Sequence, residues 1–266
     1  MIATSTHGSP TDPAVLLIGG SGSSMDWWEP DFCARLTGRY VIRYDHRDTG
    51  ESPSYPPGRP GYTGYDLVTD ALTVLDQLGV AAAHVVGISM GGALAQLLAL
   101  DHPTRVLSLT AISTSAGAGD PDLPAMTPEA KAAFATLSEP DWTDDTAVIA
   151  YLVDVQRVMS VEPFDEAETR AIATRAVTRT KNNESSHKNH HATEGAATPW
   201  RHRLPEITVP TLILHGDEDP LFPLPHGEAL AREIPGARLV VLPHTGHEFP
   251  RRNWPLVVRE ILALTS

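Results

Sequence analysis

The chain has 266 residues, of which 20 are basic and 33 are acidic, and its formal net charge is −13 with the histidines neutral. This length suits one large α/β domain, or a core domain with an insertion. The acidic balance and the lack of a dense basic cluster argue against nucleic acid as a partner, because binding to a phosphate backbone requires such a cluster.

Cysteine usage and apolar stretches bear on where the protein works. The single cysteine, Cys33, leaves no intrachain disulfide, and the first residues lack the basic and apolar regions of a secretory signal. Both features predict a cytoplasmic protein. The longest apolar stretch, around residues 88–100, is shorter than the roughly 20 residues that cross a bilayer, so we expect no membrane segment.

Short apolar runs alternate with amphipathic stretches along the chain, which is typical of a mostly parallel sheet covered by helices on both faces. We therefore predict an α/β fold. Ligands of open α/β sheets bind beyond the carboxyl ends of the strands, so the loops after these runs are where chemistry is expected. The predicted strands are Ala14–Ile18, Tyr40–Tyr44, Val85–Ser89, Val106–Ile112, Val209–Leu214 and Leu239–Leu242.

Two helices are predicted between residues 67 and 100. Apolar residues recur at helical spacing from Leu67 to Leu78, and Gly79 is expected to end that helix. The second helix is predicted over Met90–Leu100, directly after the third strand, and its first turn would present free N–H groups and a positive dipole end.

A change of pattern predicts a helical cap over residues 116–200, between two parts of a core at 1–115 and 201–266. Strand-like runs vanish there, while residues 129–137 and 144–158 have a helical pattern. An insertion after the fourth predicted strand would lie across the carboxyl edge of the sheet.

The last part of this predicted cap, Lys181–His191, is polar and contains three histidines. Metal ligation is conceivable, but neither a cysteine nor paired carboxylates lie nearby. We therefore expect a solvated segment, and we assign no metal and no cofactor.

The segment Gly87-Ile88-Ser89-Met90-Gly91 matches the nucleophile-elbow pattern G-x-S-x-G. A serine hydroxyl attacks a carbonyl only if it stands clear of the backbone, and flanking glycines leave room for the sharp turn that this requires. The pattern also occurs by chance, as a strand followed by a turn of small residues. The strand before Ser89 and the helix after it favour a nucleophile.

A serine nucleophile needs a general base, and histidine is the usual one. His84 opens its strand at the amino end of the sheet and His102 closes a helix, so both are expected to be structural. The loop after the last predicted strand offers His244 and His247. We favour His247, because the glycine before it lets the loop swing the ring toward Ser89.

The histidine in turn needs a carboxylate that fixes its tautomer, and in this architecture the chain order is serine, acid, histidine. The turn after Ile112 carries no carboxylate, whereas the strand ending at Leu214 leads into a loop with Asp217 and Asp219. We favour Asp219, because Pro220 stiffens its position and the extra length lets it reach the last loop. Asp217 is expected to hold the turn.

A tetrahedral oxyanion needs two preorganised N–H donors. Met90, after the serine, is one candidate, and the small residues after the first predicted strand offer Gly20 or Ser21 as the second. A glycine-rich loop after a strand also suggests phosphate binding. The Rossmann spacing and a P-loop lysine are both absent, which disfavours a nucleotide.

Four segments in order resemble the α/β-hydrolase superfamily, and more narrowly the aclacinomycin methylesterase group of polyketide-tailoring esterases. The resemblance implies a mainly parallel sheet of about eight strands with a helical cap. It also implies a triad of Ser89, Asp219 and His247, with Gly20 and Met90 at the oxyanion hole. The segments are Val41–Ser52, His84–Gly91, Asp219-Pro220 with Pro225–Gly227, and Gly246-His247.

The chain departs from the family pattern at three places. Only about a dozen residues precede Ala14, whereas relatives usually carry a further N-terminal strand or two, so one strand is expected to be missing. The cap is short and divergent. Many members of the superfamily have His-Gly where this chain has Gly19-Gly20, and in the methylesterase group Gly-Gly likewise replaces His-Gly.

Polar and aromatic residues near the predicted site have competing interpretations. Asp45, His46 and Asp48 invite a catalytic assignment, but a tight structural loop is the stronger one. Trp27 and Trp28 are predicted to begin the first helix, where packing is favoured over stacking on a substrate.

The sequence thus predicts a serine esterase that cleaves a small alkyl ester, methyl above all, of a bulky hydrophobic acyl group held under the cap. The same residues could serve perhydrolysis of the cofactor-free haloperoxidase type, thioester release or cyclisation. A non-catalytic small-molecule binding module on this fold is the alternative of another class. The expected partner is a small hydrophobic ester, and the oligomeric state stays open.

Overall fold

A computed structural model describes residues 1–117, 120–193 and 199–266. Its described residues form one sheet of seven strands in the order β1-β3-β2-β4-β5-β6-β7, in which only β1 runs antiparallel to its neighbour. The strands are β1 Thr4–His7, β2 Ala14–Ile18, β3 Tyr40–Tyr44, β4 Ala83–Ile88, β5 Val106–Ile112, β6 Thr211–Gly216 and β7 Arg238–Leu242. All six strands predicted from the sequence are present within a few residues of their predicted bounds.

The sheet has one strand fewer than the expected eight, and the chain begins with a strand that the sequence analysis missed. Strand β1 pairs with β3 from Thr4 opposite Tyr44 to His7 opposite Val41. Its residues are half-buried or exposed, and polar throughout. A polar edge strand lacks the apolar alternation by which strands are recognised in a sequence, so it was hidden in the segment before Ala14.

Helices cover both faces of the sheet, and the predicted ones lie within a few residues of their expected bounds. The helices are α1 Pro30–Arg35, α2 Gly64–Gln77, α3 Met90–Asp101, α4 Pro128–Thr136, α5 Asp145–Met159, α6 Glu166–Arg179, α7 Asn183–Ala192, α8 Pro225–Glu233 and α9 Trp254–Leu264. Within the described residues, no helix is long and apolar enough to cross a membrane.

Local signals explain where α2 starts and stops. The Thr63 hydroxyl accepts a hydrogen bond from the backbone N–H of Asp66, and the Asp66 carboxylate accepts one from the N–H of Thr63, which together form a capping box. Gly79 follows the helix with φ +68°, a conformation that glycine adopts without a Cβ penalty. The prediction that Gly79 ends this helix is confirmed.

Apolar residues pack on both faces of the sheet. Side chains of α2, α3 and α8 pack on one face around Leu16 and Leu109, and side chains of α1 and α9 pack on the other around Leu17 and Leu214. Central strands are buried on both faces, which is why β2 and β6 have nearly continuous apolar sequences.

The first helix begins later than predicted. A short 3₁₀ turn spans Met25–Trp27, and α1 starts at Pro30. Trp28 lies between the two and packs against Phe32 and Phe249, which agrees with its predicted packing role. Proline at the first position of α1 is the reason for the later start, because its fixed φ suits a first helical turn.

Helices α4 to α7 form an insertion between β5 and β6, which we call the insertion throughout. The predicted helices at 129–137 and 144–158 correspond to α4 and α5. Residues 118–119 and 194–198 of the predicted cap lie outside the described residues.

The expectation of a solvated segment over Lys181–His191 is wrong, because α7 is a helix packed on the core. Asn182 caps its first turn by accepting from the N–H of Ser185. Asn189 and His190 are buried, with exposed fractions of 0% and 6%. The buried polar side chains bind core groups, for example Asn189 the Asp48 carboxylate and His190 the Gly22 N–H, and hydropathy alone does not reveal that.

Candidate active site

Ser89 lies at the junction of β4 and α3 in a strained conformation, with φ 54° and ψ −120°. Neighbouring glycines make this turn possible. A methyl group on Gly87 would overlap the carbonyl of Gly91 and lie 2.7 Å from the nitrogen of Gly92, and one on Gly91 would overlap the carbonyl oxygens of Ile18 and Gly19. Strand, turn and helix therefore approach one another as closely as backbones can.

His247 connects Ser89 to Asp219. Its Nε2 lies 2.9 Å from Ser89 Oγ, and its Nδ1 lies 2.8 Å from Asp219 Oδ2. A carboxylate only accepts, so Nδ1 carries the hydrogen and Nε2 is left to accept from the serine hydroxyl. The structure thus brings together the three residues that the sequence analysis selected, from the loops after β4, β6 and β7.

The Asp219 carboxylate is buried and binds backbone N–H groups of the turn that it begins. Its Oδ1 accepts hydrogen bonds from the backbone N–H groups of Leu221 and Phe222, both at 2.9 Å. Burial raises the pKa of Asp219, but the neighbouring His247, His215 and the Phe222 N–H outweigh burial, and the pKa lies below its usual value. The carboxylate therefore stays charged beside His247.

The competing candidates in the same two loops, Asp217 and His244, make contacts with other residues than Ser89. Asp217 accepts a hydrogen bond from the Thr245 N–H at 3.2 Å and so joins the two loops. His244 is exposed, with its Nδ1 2.8 Å from the Glu218 carboxylate and its Nε2 donating to the Glu162 carbonyl at 2.6 Å. The hydrogen bond to Glu218 raises the pKa of His244.

His84 and His102 lie away from Ser89. His84 is near the start of β4, with its Nδ1 2.8 Å from the Ser108 hydroxyl on the neighbouring strand. His102 follows the last turn of α3. Neither ring lies at the carboxyl edge of the sheet, where the other candidates meet.

The loop after β2, Gly19–Ser24, lies directly beside Ser89. A methyl group on Gly20 would lie 3.5 Å from Ser89 Cβ, so this backbone passes close to the serine. Met90 begins α3, and its N–H belongs to the free first turn of that helix. Both predicted donor regions, Gly20-Ser21 and Met90, therefore flank the serine.

His46, which the sequence analysis assigned to a structural loop, supports that neighbouring loop. Its ring is fully buried, and Nε2 lies 3.0 Å from the carbonyl oxygen of Gly19, to which it donates. Burial lowers the pKa of His46 to about 4. The ring is therefore a neutral hydrogen-bond donor to the Gly19–Ser24 loop.

Asp45 and Asp48 bind backbone N–H groups of their own loop and of neighbouring segments. The Asp45 carboxylate accepts from the N–H groups of Met25 and Glu51 and pairs with Arg179 of α6. Asp48 accepts from the Tyr55 N–H. These contacts agree with the structural roles expected for both residues.

The insertion also touches the His247 loop. The backbone N–H of His247 donates to the carbonyl oxygen of Met159, the last residue of α5, at 2.7 Å. A methyl group on Gly246 would overlap that same carbonyl oxygen. Sequence analysis explained this glycine by loop freedom, whereas the structure shows that it also allows this close approach.

A cavity of about 1220 Å³ lies between the core and the insertion and opens onto Ser89 and His247. Its walls are mostly apolar, and most of the apolar groups come from the insertion: Phe134, Val148, Leu152, Val155, Met159 and Ile172. One side is aromatic, where Trp142 and Tyr151 pack around the His187 ring. The cavity exceeds the usual volume of a drug-sized ligand site.

The three histidines of α7 are spread over separate contacts. His187 lies 3.1 Å from the Tyr151 hydroxyl, His190 accepts from the Gly22 N–H at 2.8 Å, and the His191 ring lies 3.4 Å from Ser21 Oγ. Among the residues that the structure describes, no three metal-ligating side chains are grouped around a common point.

Comparison with known proteins agrees with this architecture. The sequence profile of the alpha/beta hydrolase fold family matches residues 13–250. The chain belongs to the α/β-hydrolase family.

Two curated relatives and one solved structure cover nearly the whole chain. Rhodomycin D methylesterase DauP of Streptomyces sp. (strain C5) is 36% identical, and rhodomycin D methylesterase DnrP of Streptomyces peucetius is 35% identical, each over 96% of this chain and 90% of the relative. The enol-lactonase of Burkholderia xenovorans LB400 is similar with a TM-score of 0.76, at 25% identity over 99% of this chain and 95% of that one. The fold and these similarities make the protein an esterase of this family.

Proposed function

We propose that this esterase cleaves a small alkyl ester, methyl above all, of a bulky hydrophobic carboxylic acid through an acyl-enzyme on Ser89. The observation that carries the proposal is the continuous hydrogen-bond chain from Ser89 through His247 to Asp219 at the floor of the large apolar cavity. The similarity to two rhodomycin D methylesterases supports a methyl ester.

In the proposed reaction, Ser89 Oγ attacks the carbonyl carbon while its proton passes to His247 Nε2. The 2.9 Å distance between these atoms suits that transfer. Asp219 keeps Nδ1–H pointed toward itself and stabilises the imidazolium that forms. The buried and charged Asp219 carboxylate supports this role.

Negative charge develops on the carbonyl oxygen, and we assign its stabilisation to backbone N–H groups. Met90 provides one donor, and Gly20 or Ser21 provides the other. The tetrahedral intermediate collapses as the C–O bond to the alcohol breaks, and His247 returns its proton to the leaving oxygen.

Water then completes the cycle. His247 takes a proton from a water molecule, whose oxygen attacks the acyl carbon, and Ser89 recovers its proton as the carboxylic acid departs. Every proton in these steps moves between Ser89, His247, water and the departing oxygens, so the reaction requires no other proton donor or acceptor.

The size of the cavity supports a large acid. About 1220 Å³ of mostly apolar space lies under the insertion and opens onto Ser89. We propose that residues 116–200 act as a cap that walls the acyl pocket. An apolar pocket of this size favours a bulky hydrophobic acyl group.

A fluorophosphonate probe tests the nucleophile. We expect it to add one phosphonyl group to Ser89 and to no other serine, as read by intact mass and by peptide mapping. Before it is treated with the probe, the enzyme should release methanol and acid from methyl esters in equal amounts. An unmodified Ser89 in folded protein refutes the assignment, and labelling without turnover of any ester, thioester or peracid substrate favours the binding-module alternative.

A further inference from the structure

Helix α7 of the insertion binds both backbone polar groups of Gly22, in the Gly19–Ser24 loop. The Gly22 N–H donates to Nδ1 of His190 at 2.8 Å, and its carbonyl oxygen accepts from the Ser186 hydroxyl at 3.1 Å. Gly22 has φ +67°, and a methyl group on it would lie 3.1 Å from the Ser186 carbonyl oxygen. A residue without a side chain is therefore what lets the loop meet the helix.

The second nitrogen of His190 determines its tautomer. Nε2 lies 2.8 Å from the carbonyl oxygen of Arg47, which only accepts, so Nε2 carries the hydrogen. Nδ1 then has a lone pair, which is what the Gly22 N–H requires. One buried ring thus joins the loop after β2 to the loop after β3.

Inside the Gly19–Ser24 loop the Ser23 N–H donates to the Gly20 carbonyl oxygen at 3.2 Å, and at its end the Ser24 hydroxyl donates to Asp26 Oδ2 at 2.8 Å. The loop residues are glycine and serine, whose small side chains bury almost no apolar surface. At Gly19 the carbonyl oxygen accepts from His46, and at Gly22 both polar groups go to α7. The two histidines hold opposite ends of the segment that passes Ser89.

We propose that His190 and Ser186 are positioning residues, which hold Gly22 and thereby fix the Gly20-Ser21 backbone in the place where it stabilises the oxyanion. The inference rests on the proposed function, since it assigns a task to the same site. It gives the insertion a second role besides walling the acyl pocket: one of its helices completes the geometry of the reacting centre.

The energetic reason lies in preorganisation. Donors of an oxyanion hole act because they already stand where the charge develops, and a displacement of about 1 Å costs on the order of 100-fold in rate. A loop without side-chain packing samples such displacements unless its backbone is held. Loss of the His190 contact should therefore weaken binding of the transition state more than binding of the ester.

Substitutions at His190 separate the two nitrogens. His190→Asn keeps an acceptor near the position of Nδ1 and loses the bond to Arg47, whereas His190→Leu loses both. We expect His190→Leu to lower kcat about 10- to 100-fold with little change in KM. The Ki of a trifluoromethyl ketone, which forms a tetrahedral oxyanion on Ser89, should rise by a similar factor. His190→Asn should recover most of both losses.

Ser185→Ala is the matched control on the same helix. The Ser185 hydroxyl donates to the Tyr55 carbonyl at 2.6 Å and so anchors α7 without touching Gly22. If anchoring of α7 alone matters, Ser185→Ala lowers kcat as much as His190→Leu does, and the proposal is overturned. We expect Ser185→Ala to keep kcat within about twofold of the unaltered enzyme, and Ser186→Ala to give an intermediate loss.

Amide hydrogen exchange of residues 19–24 gives a readout that does not depend on turnover. We expect faster exchange in His190→Leu than in His190→Asn or Ser185→Ala. Faster exchange with unchanged kcat and Ki overturns the positioning role, and so does unchanged exchange. If the unaltered enzyme neither reacts with the fluorophosphonate nor hydrolyses esters, the proposed function fails instead, so the two failures are distinguishable.

Discussion

The backbone N–H of His247 donates to the carbonyl oxygen of Met159 at 2.7 Å, so the histidine that faces Ser89 is bound to the insertion by its main chain. Its side chain is bound separately, by Asp219. Main-chain and side-chain contacts therefore fix this residue from two sides, and the ring has a defined direction toward the serine.

The two aspartates in the loop after β6 and the two histidines in the loop after β7 should differ sharply in their effect on activity. Loss of a triad member typically costs ~10⁴-fold in turnover. We therefore expect His247→Ala and Asp219→Asn to lose nearly all ester hydrolysis, measured as kcat on one methyl ester and one p-nitrophenyl ester.

His244→Ala and Asp217→Asn are the matched controls, because each lies in the same loop as its counterpart and makes contacts away from Ser89. Both should keep most of the activity. The reverse ranking within either pair would transfer the role to the other residue, without altering the assignment of the fold.

Acyl size should govern the substrate preference. A panel of methyl esters of polycyclic, aryl and aliphatic acids should show kcat/KM rising with apolar acyl area, because burial of apolar surface contributes roughly 25 cal/mol per Å². Filling the pocket by Val155→Trp should lower kcat/KM for the largest acids and spare methyl acetate. A preference for short acyl chains with bulky leaving groups would indicate a general esterase instead.

Gly87 should be intolerant of a side chain. A methyl group there overlaps the backbone of Gly91, and we expect Gly87→Ala to lower the free energy of unfolding by about 2 kcal/mol or more, since overpacking against backbone has no flexible neighbour to yield. Urea denaturation measures this change. Gly117→Ala is the control, because among the residues that the structure describes its methyl group meets no heavy atom within 4 Å. Equal stabilities of the two variants would contradict the close packing described for the turn.

Stability should fall as the solution becomes acidic, in part because of two buried histidines. Burial lowers the pKa of His190 to about 3 and that of His46 to about 4. A histidine in the unfolded chain binds a proton below about pH 6.5, whereas these two rings stay neutral in the folded protein down to about pH 4. Between these values a fall in pH therefore favours the unfolded chain. Each ring then removes up to about 1.4 kcal/mol of stability per pH unit.

Urea denaturation between pH 7 and pH 4.5 measures this slope. The His190 ring faces His46, Asp48 and His191, which remain in a His190→Asn variant, so the difference in slope reports His190 itself. We expect a shallower decline for that variant. The free energy of unfolding of His7→Asn, a change at an exposed position, should decline as steeply as that of the unaltered protein. Identical slopes for these two proteins and His190→Asn would show that the folded protein accepts a proton on His190 as readily as the unfolded chain does.

Local patterns predict most of the sheet, because buried parallel strands such as β2 and β6 have nearly continuous apolar sequences and stand out. The turn around Ser89 is equally readable, since its glycines and its neighbouring strand and helix are consecutive in the chain. Strand β1 is polar and lies at the edge, so its pairing with β3 depends on backbone hydrogen bonds that no side-chain pattern reports.

Helix α7 was missed for a different reason. Its buried residues are Ser185, Ser186, Asn189 and His190, which form two pairs four residues apart, and these polar side chains bind groups of the core. Spacing of polar residues together with Asn182 as the capping residue was the available signal. A search restricted to apolar periodicity passes over such a helix.

The contacts of Met159 and His190 limit how this protein can be re-engineered. Exchange of the whole insertion for that of a relative would replace both anchors at once. The chimera would then need a new carbonyl oxygen to accept from the N–H of His247 and a new acceptor for the N–H of Gly22. Leu152 and Val155 face the cavity, and their side chains can change without disturbing either anchor. Point changes at those positions are therefore the practical route to enzymes with altered acid selectivity.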